Sequence, residues 1–331
     1  MRDFSYERAA ADAAPGALLS DGDAVFLAGG TTLLDLMKLD VLRPSRVVNI
    51  GDLAGRYGKI SVSGGLLRLG GLVRMAEAAD HADVLHWAPA IAESLRAAAS
   101  PQLRNMATLA GNVLQRTRCA YFRDVSWPAC NKRAPGSGCA ALEGVNRRMA
   151  VLGGSSHCIA HYPGDFANVL AAFGAEVEIL TATGETRSMQ FEDLHRLPGD
   201  TPERETNLQP GDLITGFQVP VGAWTQRSVY VKIRDRASYD FAQASAAVGL
   251  ELDGGVIKTV RIGLGGVAAK PWRSHESEKV LQGQTLSEDL VQHAAVAAFA
   301  GAATYGENDF KPELGRRTLV RAVFEAARLE V

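Results

Sequence analysis

Apolar and polar positions in the first third of the chain switch between strand and helix periods. Residues 24–28 form a short apolar run that ends at Gly29-Gly30. Leu33, Leu34, Leu36 and Met37 then recur at helical spacing, with Thr31 or Thr32 placed to cap the helix. Val47-Val48-Asn49-Ile50 returns as a strand, so the order predicts a βαβ unit with a right-handed crossover. Residues 66–71 read as another strand, 74–83 and 88–99 as two helices, 165–172 as a helix and 176–181 as a strand. A Pro/Gly/polar stretch at 197–211 and the Pro220-Val221-Gly222 turn precede a change of pattern. Strands at 228–233, 244–252 and 259–264, the last two joined by Asp253-Gly254-Gly255, carry a hairpin signature. Helices follow at 287–303, with Ser287 as N-cap, and at 312–328. The pattern is α+β, with a domain boundary near 222–228.

Between residues 119 and 158 no apolar period survives, and all four cysteines, Cys119, Cys130, Cys139 and Cys158, fall there. A long loop without regular structure is expected to have a function or its own cross-link. The clustering points to one shared role for the thiols, in a disulfide pair, a metal site or an iron–sulfur cluster. The spacing C-x10-C-x8-C-x18-C is neither that of zinc ribbons nor that of ferredoxin runs. Arg116, Arg118, Arg123, Lys132, Arg133, Arg147 and Arg148 outnumber Asp124 and Glu143, a surplus expected to offset an anionic cluster and favour thiolates.

At 331 residues the chain has room for two or three domains. A net charge of −2 supplies no long-range attraction to nucleic acid or an anionic membrane. No apolar run approaches the roughly 18 residues of a membrane span, and the N-terminus shows no signal-peptide pattern. The chain reads as folded in the cytoplasm, where structural disulfides are rare, which favours a metal over disulfides. A partner with its own export signal would carry it to the periplasm. The seven histidines lack metal-ligand spacing, and no nucleophile–base constellation marks a catalytic residue.

Two motifs suggest a polar ligand. Ala28-Gly29-Gly30-Thr31-Thr32 at a strand-to-helix turn lets the backbone approach an anion such as a pyrophosphate, although a plain tight turn uses the same residues. The third glycine of the Rossmann fingerprint is missing. Thr108 and Asn112, in Asn105-Met106-Ala107-Thr108-Leu109-Ala110-Gly111-Asn112, offer a second wall, or simply turn residues. Asp165 reads as a helix N-cap and Lys232 as a solvent-facing strand residue.

Residues 27–37 (LAGGTTLLDLM), 104–112 (RNMATLAGN) and 264–273 (LGGVAAKPWR) resemble the FAD-binding subunit of the xanthine dehydrogenase family, the molybdenum hydroxylases. The likeness spans essentially the whole chain. The insert at about 113–160 is absent from most of that family and resembles the [4Fe-4S]-bearing segment of the flavin subunit in heterotrimeric periplasmic aldehyde oxidoreductases. The resemblance implies FAD held by Leu27, Ala28, Gly29, Gly30, Thr31, Thr32, Leu33 and Leu34 at its pyrophosphate. Thr108, Gly111 and Asn112 would flank the ribityl–phosphate, Asp165 would contact the cofactor, and Ile214 and Lys232 would lie near the isoalloxazine. Cys119, Cys130, Cys139 and Cys158 would hold the cluster. It implies residues 1–222 as a two-part FAD domain, a small βαβ lobe plus a mixed-sheet lobe, and 223–331 as antiparallel strands with a helix bundle. The expected role is electron transfer beside a large molybdenum-cofactor subunit and a small [2Fe-2S] subunit. The rival reading is a zinc-stabilised nucleotide-binding protein without redox function.

Overall fold

The computed structural model describes residues 1–12, 19 and 23–330. Its first sheet holds β1 (Ser5–Arg8), β2 (Ala24–Leu27) and β3 (Arg46–Asn49) in the order β1-β3-β2, parallel at both pairings. The expected βαβ unit runs from β2 through the helix Leu33–Lys38 to β3. β1 is invisible in the apolar pattern because all four of its residues are exposed; it joins the sheet through backbone pairing. Thr32 occupies the N-cap position with helical angles (φ −109°, ψ −49°) and makes no cap bond. A capping oxygen needs extended backbone to reach the open N–H groups, so the expected threonine cap is not formed.

The second sheet, expected as mixed, is antiparallel throughout: β4 (Ile60–Ser63), β5 (Leu66–Gly70), β6 (Glu176–Leu180), β7 (Thr186–Gln190) and β8 (Leu213–Pro220), in the order β4-β5-β8-β6-β7. Leu67, Leu69, Val177, Ile179 and Phe217 belong to the main core, together with side chains of the helices beside the sheet. On these strands Arg68 pairs with Glu178 at 2.6 Å. β8 is the central strand, mostly buried, so it lacks the alternation by which a one-sided strand is read. The two helices expected at 74–99 are three: Met75–Asp80, Ala82–Trp87 and Pro89–Ala97. His81 breaks the first from the second with extended angles (φ −71°, ψ 130°), and its ring nitrogen accepts from the Asp83 amide.

The third sheet holds the three expected strands and one more: β9 (Ser228–Ile233), β10 (Ala244–Asp253), β11 (Val256–Gly265) and β12 (Trp272–Arg273), in the order β12-β11-β10-β9. It shares a second core with helices His275–Leu281, Glu288–Ala298 and Lys311–Ala327. Ser287 caps its helix as expected, accepting from the Leu290 amide at 3.3 Å, but that helix stops at Ala298 rather than 303. No helix among the described residues is long and apolar enough to cross a membrane.

The insert has one single-turn helix, Ala120–Arg123, and is tied to both halves of the chain. Arg118 and Arg123 reach Asp35 on the first lobe at 3.2 and 2.7 Å. On the other side, the Val151 and Leu152 amides donate to the Val267 carbonyl. Lys311, fully buried, donates to the carbonyls of Arg148 (3.1 Å) and Gly266 (2.7 Å). Burial, helped by Arg148 and Arg147, pushes the Lys311 ammonium from 10.5 down to about 7. Between those values the unfolded chain binds the extra proton, so this group makes stability rise with pH across that window. Urea denaturation from pH 7 to 10 should show the wild type gaining stability relative to Lys311→Met. A pH-independent gap would contradict the assignment.

Candidate functional site

Strand β2 ends against the second motif, and glycine is required where they touch. A Cβ on Gly29 would lie 2.0 Å from the Met106 carbonyl oxygen. Gly30 has φ +75°, a conformation that favours glycine. Thr108 caps the short helix Leu109–Val113, its hydroxyl accepting from the Gly111 amide at 3.3 Å, and the Ala110 amide donates to Gly71. These two motifs line a cavity of about 230 Å³ through Ala28, Gly29, Gly30, Thr31, Thr32 and Leu33 with Thr108 and Gly111. Ile214 and its neighbours Asp212 and Leu213 line the same cavity. Leu27 and Leu34 are not lining residues; their side chains stand beside Gly30.

A second cavity of about 770 Å³ shares Thr31 and Thr32 with the first. Asn112, Asp165, Arg118 and residues 235–236 and 239–241 line it. The two adjoin at Thr31 and Thr32 as a two-part groove, whose larger part falls within the roughly 300–1,000 Å³ typical of small-molecule sites. The Asn112 Oδ1 atom is buried without a hydrogen-bond partner. Leaving such an acceptor unpaired costs about 1–3 kcal/mol, which a ligand hydroxyl would offset.

Asp165 sits at a helix N-cap position but makes no cap bond. Its Oδ1 accepts from the Tyr230 hydroxyl at 2.6 Å and its Oδ2 from Lys232 Nζ at 2.8 Å. Lys232 also donates to the Ala97 carbonyl at 3.0 Å. The Lys232 and Asp165 side chains are 5% and 4% exposed, which overturns the solvent-facing reading of Lys232. Strand β9 packs on the helix Pro89–Ala97, and burial there demands a partner for the ammonium. Sequence reasoning missed Tyr230; burial and the Asp165 charge push its hydroxyl well above the usual phenol range. Ile214 lines the smaller cavity, whereas Lys232 stands behind Asp165 at the larger one, so the structure does not bring Ile214 and Lys232 to one wall.

The four thiols do converge. Cys119, Cys130, Cys139 and Cys158 line one pocket, all but Cys139 buried. Cys130 and Cys139 face each other across an antiparallel bridge, and Cys158 bridges to Ser155. The Phe122 and Leu142 amides donate to the carbonyls of Cys119 and Cys139 at 3.2 Å, and backbone N–H groups around Cys119, Cys139 and Cys158 work to lower these thiols. Burial pushes the Cys119 thiol up to about 11. Interaction between the Cys139 and Cys158 thiols works to lower Cys139 and to raise Cys158.

The expected basic surplus is spent elsewhere. Arg118 and Arg123 pair with Asp35, and Arg147 and Arg148 reach Asp235 and Asp240. Arg133 donates to the Tyr121 and Phe122 carbonyls. Lys132 is the one lysine or arginine lining the thiol pocket among the described residues. Lys132 favours the Cys158 thiolate more than the Ala160 amide does, whereas at Cys119 and Cys139 the favourable contributions come from backbone N–H groups. Among the described residues no three His, Cys, Asp or Glu side chains are gathered as for a single metal ion.

The third motif plays no part in the groove. Val267 and Ala268 receive the returning insert, and Lys270 Nζ donates to the Glu192 carbonyl at 2.8 Å. It is a structural clasp.

Comparison with known proteins agrees with this architecture. Residues 2–222 match the family described as FAD binding domain in molybdopterin dehydrogenase, and residues 229–331 match the CO dehydrogenase flavoprotein C-terminal domain. The chain is 44% identical to the aldehyde oxidoreductase FAD-binding subunit of Escherichia coli, covering 98% of this chain and 99% of that protein. It is 29% identical to the glyceraldehyde dehydrogenase medium chain of Sulfolobus acidocaldarius, over 88% of this chain and 86% of that one. The solved structure of reconstituted CO dehydrogenase from Oligotropha carboxidovorans superposes with a TM-score of 0.76 at 26% identity, over 99% of this chain and 100% of that chain. The chain therefore belongs to the molybdenum hydroxylase family of oxidoreductases, as its FAD-binding subunit.

Proposed function

We propose that this chain is the electron-transfer subunit of a molybdenum-containing aldehyde oxidoreductase, binding FAD in the two-part groove and a [4Fe-4S] cluster at Cys119, Cys130, Cys139 and Cys158. It would assemble as a heterotrimer with a large molybdenum-cofactor subunit and a small [2Fe-2S] subunit, taking electrons from the latter and delivering them to an external acceptor. Residues 1–222 would form the FAD domain, with the insert at about 113–160, and 223–331 the C-terminal domain. The end of the second sheet at Pro220 and the start of the third at Ser228 support that division.

The buried, unpartnered Asn112 oxygen carries the flavin reading, because Asn112 lines the larger cavity of the groove. When bound, FAD supplies exchange of electrons singly or in pairs. Gly30 and the Thr31-Thr32 turn would face the pyrophosphate, with Thr108 and Asn112 against the ribityl–phosphate. Asp165, held by Tyr230 and Lys232, would present a fixed carboxylate to the cofactor.

The convergence of the four thiols on one pocket supports the cluster reading, and backbone N–H groups that favour the Cys119 and Cys139 thiolates suit it. A tetrahedral zinc, with Zn–S near 2.3 Å, would draw its four sulfurs to about 3.8 Å of one another. The four thiols line one pocket, and the likeness of the insert to a [4Fe-4S]-bearing segment favours the cluster over the zinc-stabilised alternative.

Anaerobically prepared protein should show flavin bands in the blue and near-ultraviolet with a broad brown shoulder. Cys130→Ser should lower bound iron to well under half of the wild-type content and weaken the fold, because metal binding and folding are coupled. Unchanged iron in that variant would remove Cys130 from the ligand set, and a colourless, iron-free wild type would overturn the assignment.

A further inference from the structure

A third cavity, of about 320 Å³, lies between the groove and the thiol pocket. It shares Leu114 and Arg116 with the smaller cavity of the groove, and Lys132 and Cys158 with the thiol pocket. One carboxylate ties the two ends together. Glu205 accepts Lys132 Nζ on Oε1 at 2.8 Å and Arg116 Nε on Oε2. Lys132 is fixed further by the Pro202 carbonyl at 3.0 Å, and Arg116 lies 4.5 Å over the ring of Phe122, whose amide donates to the Cys119 carbonyl. Arg116, Glu205 and Lys132 thus make a continuous ionic chain from the groove wall to the sulfurs.

Charges in this chamber are well defined at neutral pH. Burial works to raise the Glu205 carboxyl, but Lys132 and Arg116 hold it below the usual carboxylate range. The two histidines lining the chamber do not compete for its charge. Burial pushes His195 down to about 4 and His161 well below its ordinary value, so both are neutral at pH 7.

We propose that Glu205 is a positioning residue that couples the two cofactor sites, setting the charge at the flavin wall through Arg116 and at the thiol pocket through Lys132. This rests on reading the groove as the FAD site and the thiols as the cluster site. A change in charge at either end is transmitted because both cations share one carboxylate, and a partly buried ion chain is screened much less than a surface pair. Removing the negative charge makes electron addition easier at both ends. Removing the Lys132 charge makes it harder at the thiol end.

The test uses the assembled holo complex and redox titration of the flavin and cluster signals. Glu205→Gln should shift both midpoint potentials upward, while Glu205→Asp, which keeps the charge, should restore them toward wild type. Lys132→Met should lower the cluster potential and leave the flavin potential less affected. Opposite signs from two disruptions of one ion chain are not what simple loosening of the fold produces, and the Lys132 variant keeps the proposal testable if Glu205→Gln does not fold. A complex with flavin but no iron would overturn the cluster reading, and this coupling with it. A complex with both cofactors whose potentials are unmoved, or moved at one site only, in Glu205→Gln would overturn the coupling alone.

Discussion

Lys232→Met should destabilise the protein by about 3–5 kcal/mol, the penalty for leaving one member of a buried ion pair unpaired. Asp165 is 3% exposed, and its Oδ2 has Lys232 Nζ at 2.8 Å. With the ammonium gone, Tyr230 alone faces a buried carboxylate. Methionine fills similar space without a charge, so the loss reports electrostatics rather than a cavity. Urea denaturation measures it, and the double variant Lys232→Met/Asp165→Asn should recover most of the loss, since an asparagine oxygen still accepts from Tyr230. A single-variant cost under about 1 kcal/mol, the level of a surface pair, would refute the buried pair. The same substitution should lower flavin occupancy if Asp165 faces the cofactor.

Gly29→Ala should cost at least about tenfold in FAD affinity, equivalent to about 1.4 kcal/mol. The added methyl would lie 2.0 Å from the Met106 carbonyl oxygen and 2.9 Å from the Ala107 Cα, both backbone atoms. No rotamer change relieves a clash of that kind, so the first lobe must move away from the second motif, and the cavity between them opens. Gly30→Ala probes the same motif without that backbone clash. Its neighbours are the tips of Leu34 and Leu27, and its burden is the positive φ, roughly 1–2 kcal/mol of local strain. Flavin-to-protein ratios and titration of the flavin-free protein compare the two. Full retention of flavin by the Gly29 variant would separate this junction from the site.

The sequence carried the βαβ unit, the C-terminal hairpin and the Ser287 cap because each rests on local chemistry: a period, a Gly-rich turn, a capping hydroxyl. It hid β1, whose residues are all exposed, and β8, whose burial erases alternation. The helical stretch at 74–99 misled because His81 interrupts it through its own side chain, not through a proline or glycine. At the site, motif glycines were legible as backbone requirements, although Gly29 serves a contact between two chain segments and not ligand approach alone. Tyr230, Glu205 and Lys311 were not legible. Each acts through a partner 65 to 163 residues away, and no local pattern encodes such a meeting.

The insert is braced at its end by parts of the chain that come much later: Val267, Glu307 and Lys311 receive residues 146–152. During synthesis those receivers leave the ribosome more than a hundred residues after the sulfur-bearing loop itself. That loop therefore waits, without its final brace, until translation is nearly complete, and a metal centre held by its thiols would be loaded into the finished polypeptide rather than the nascent one.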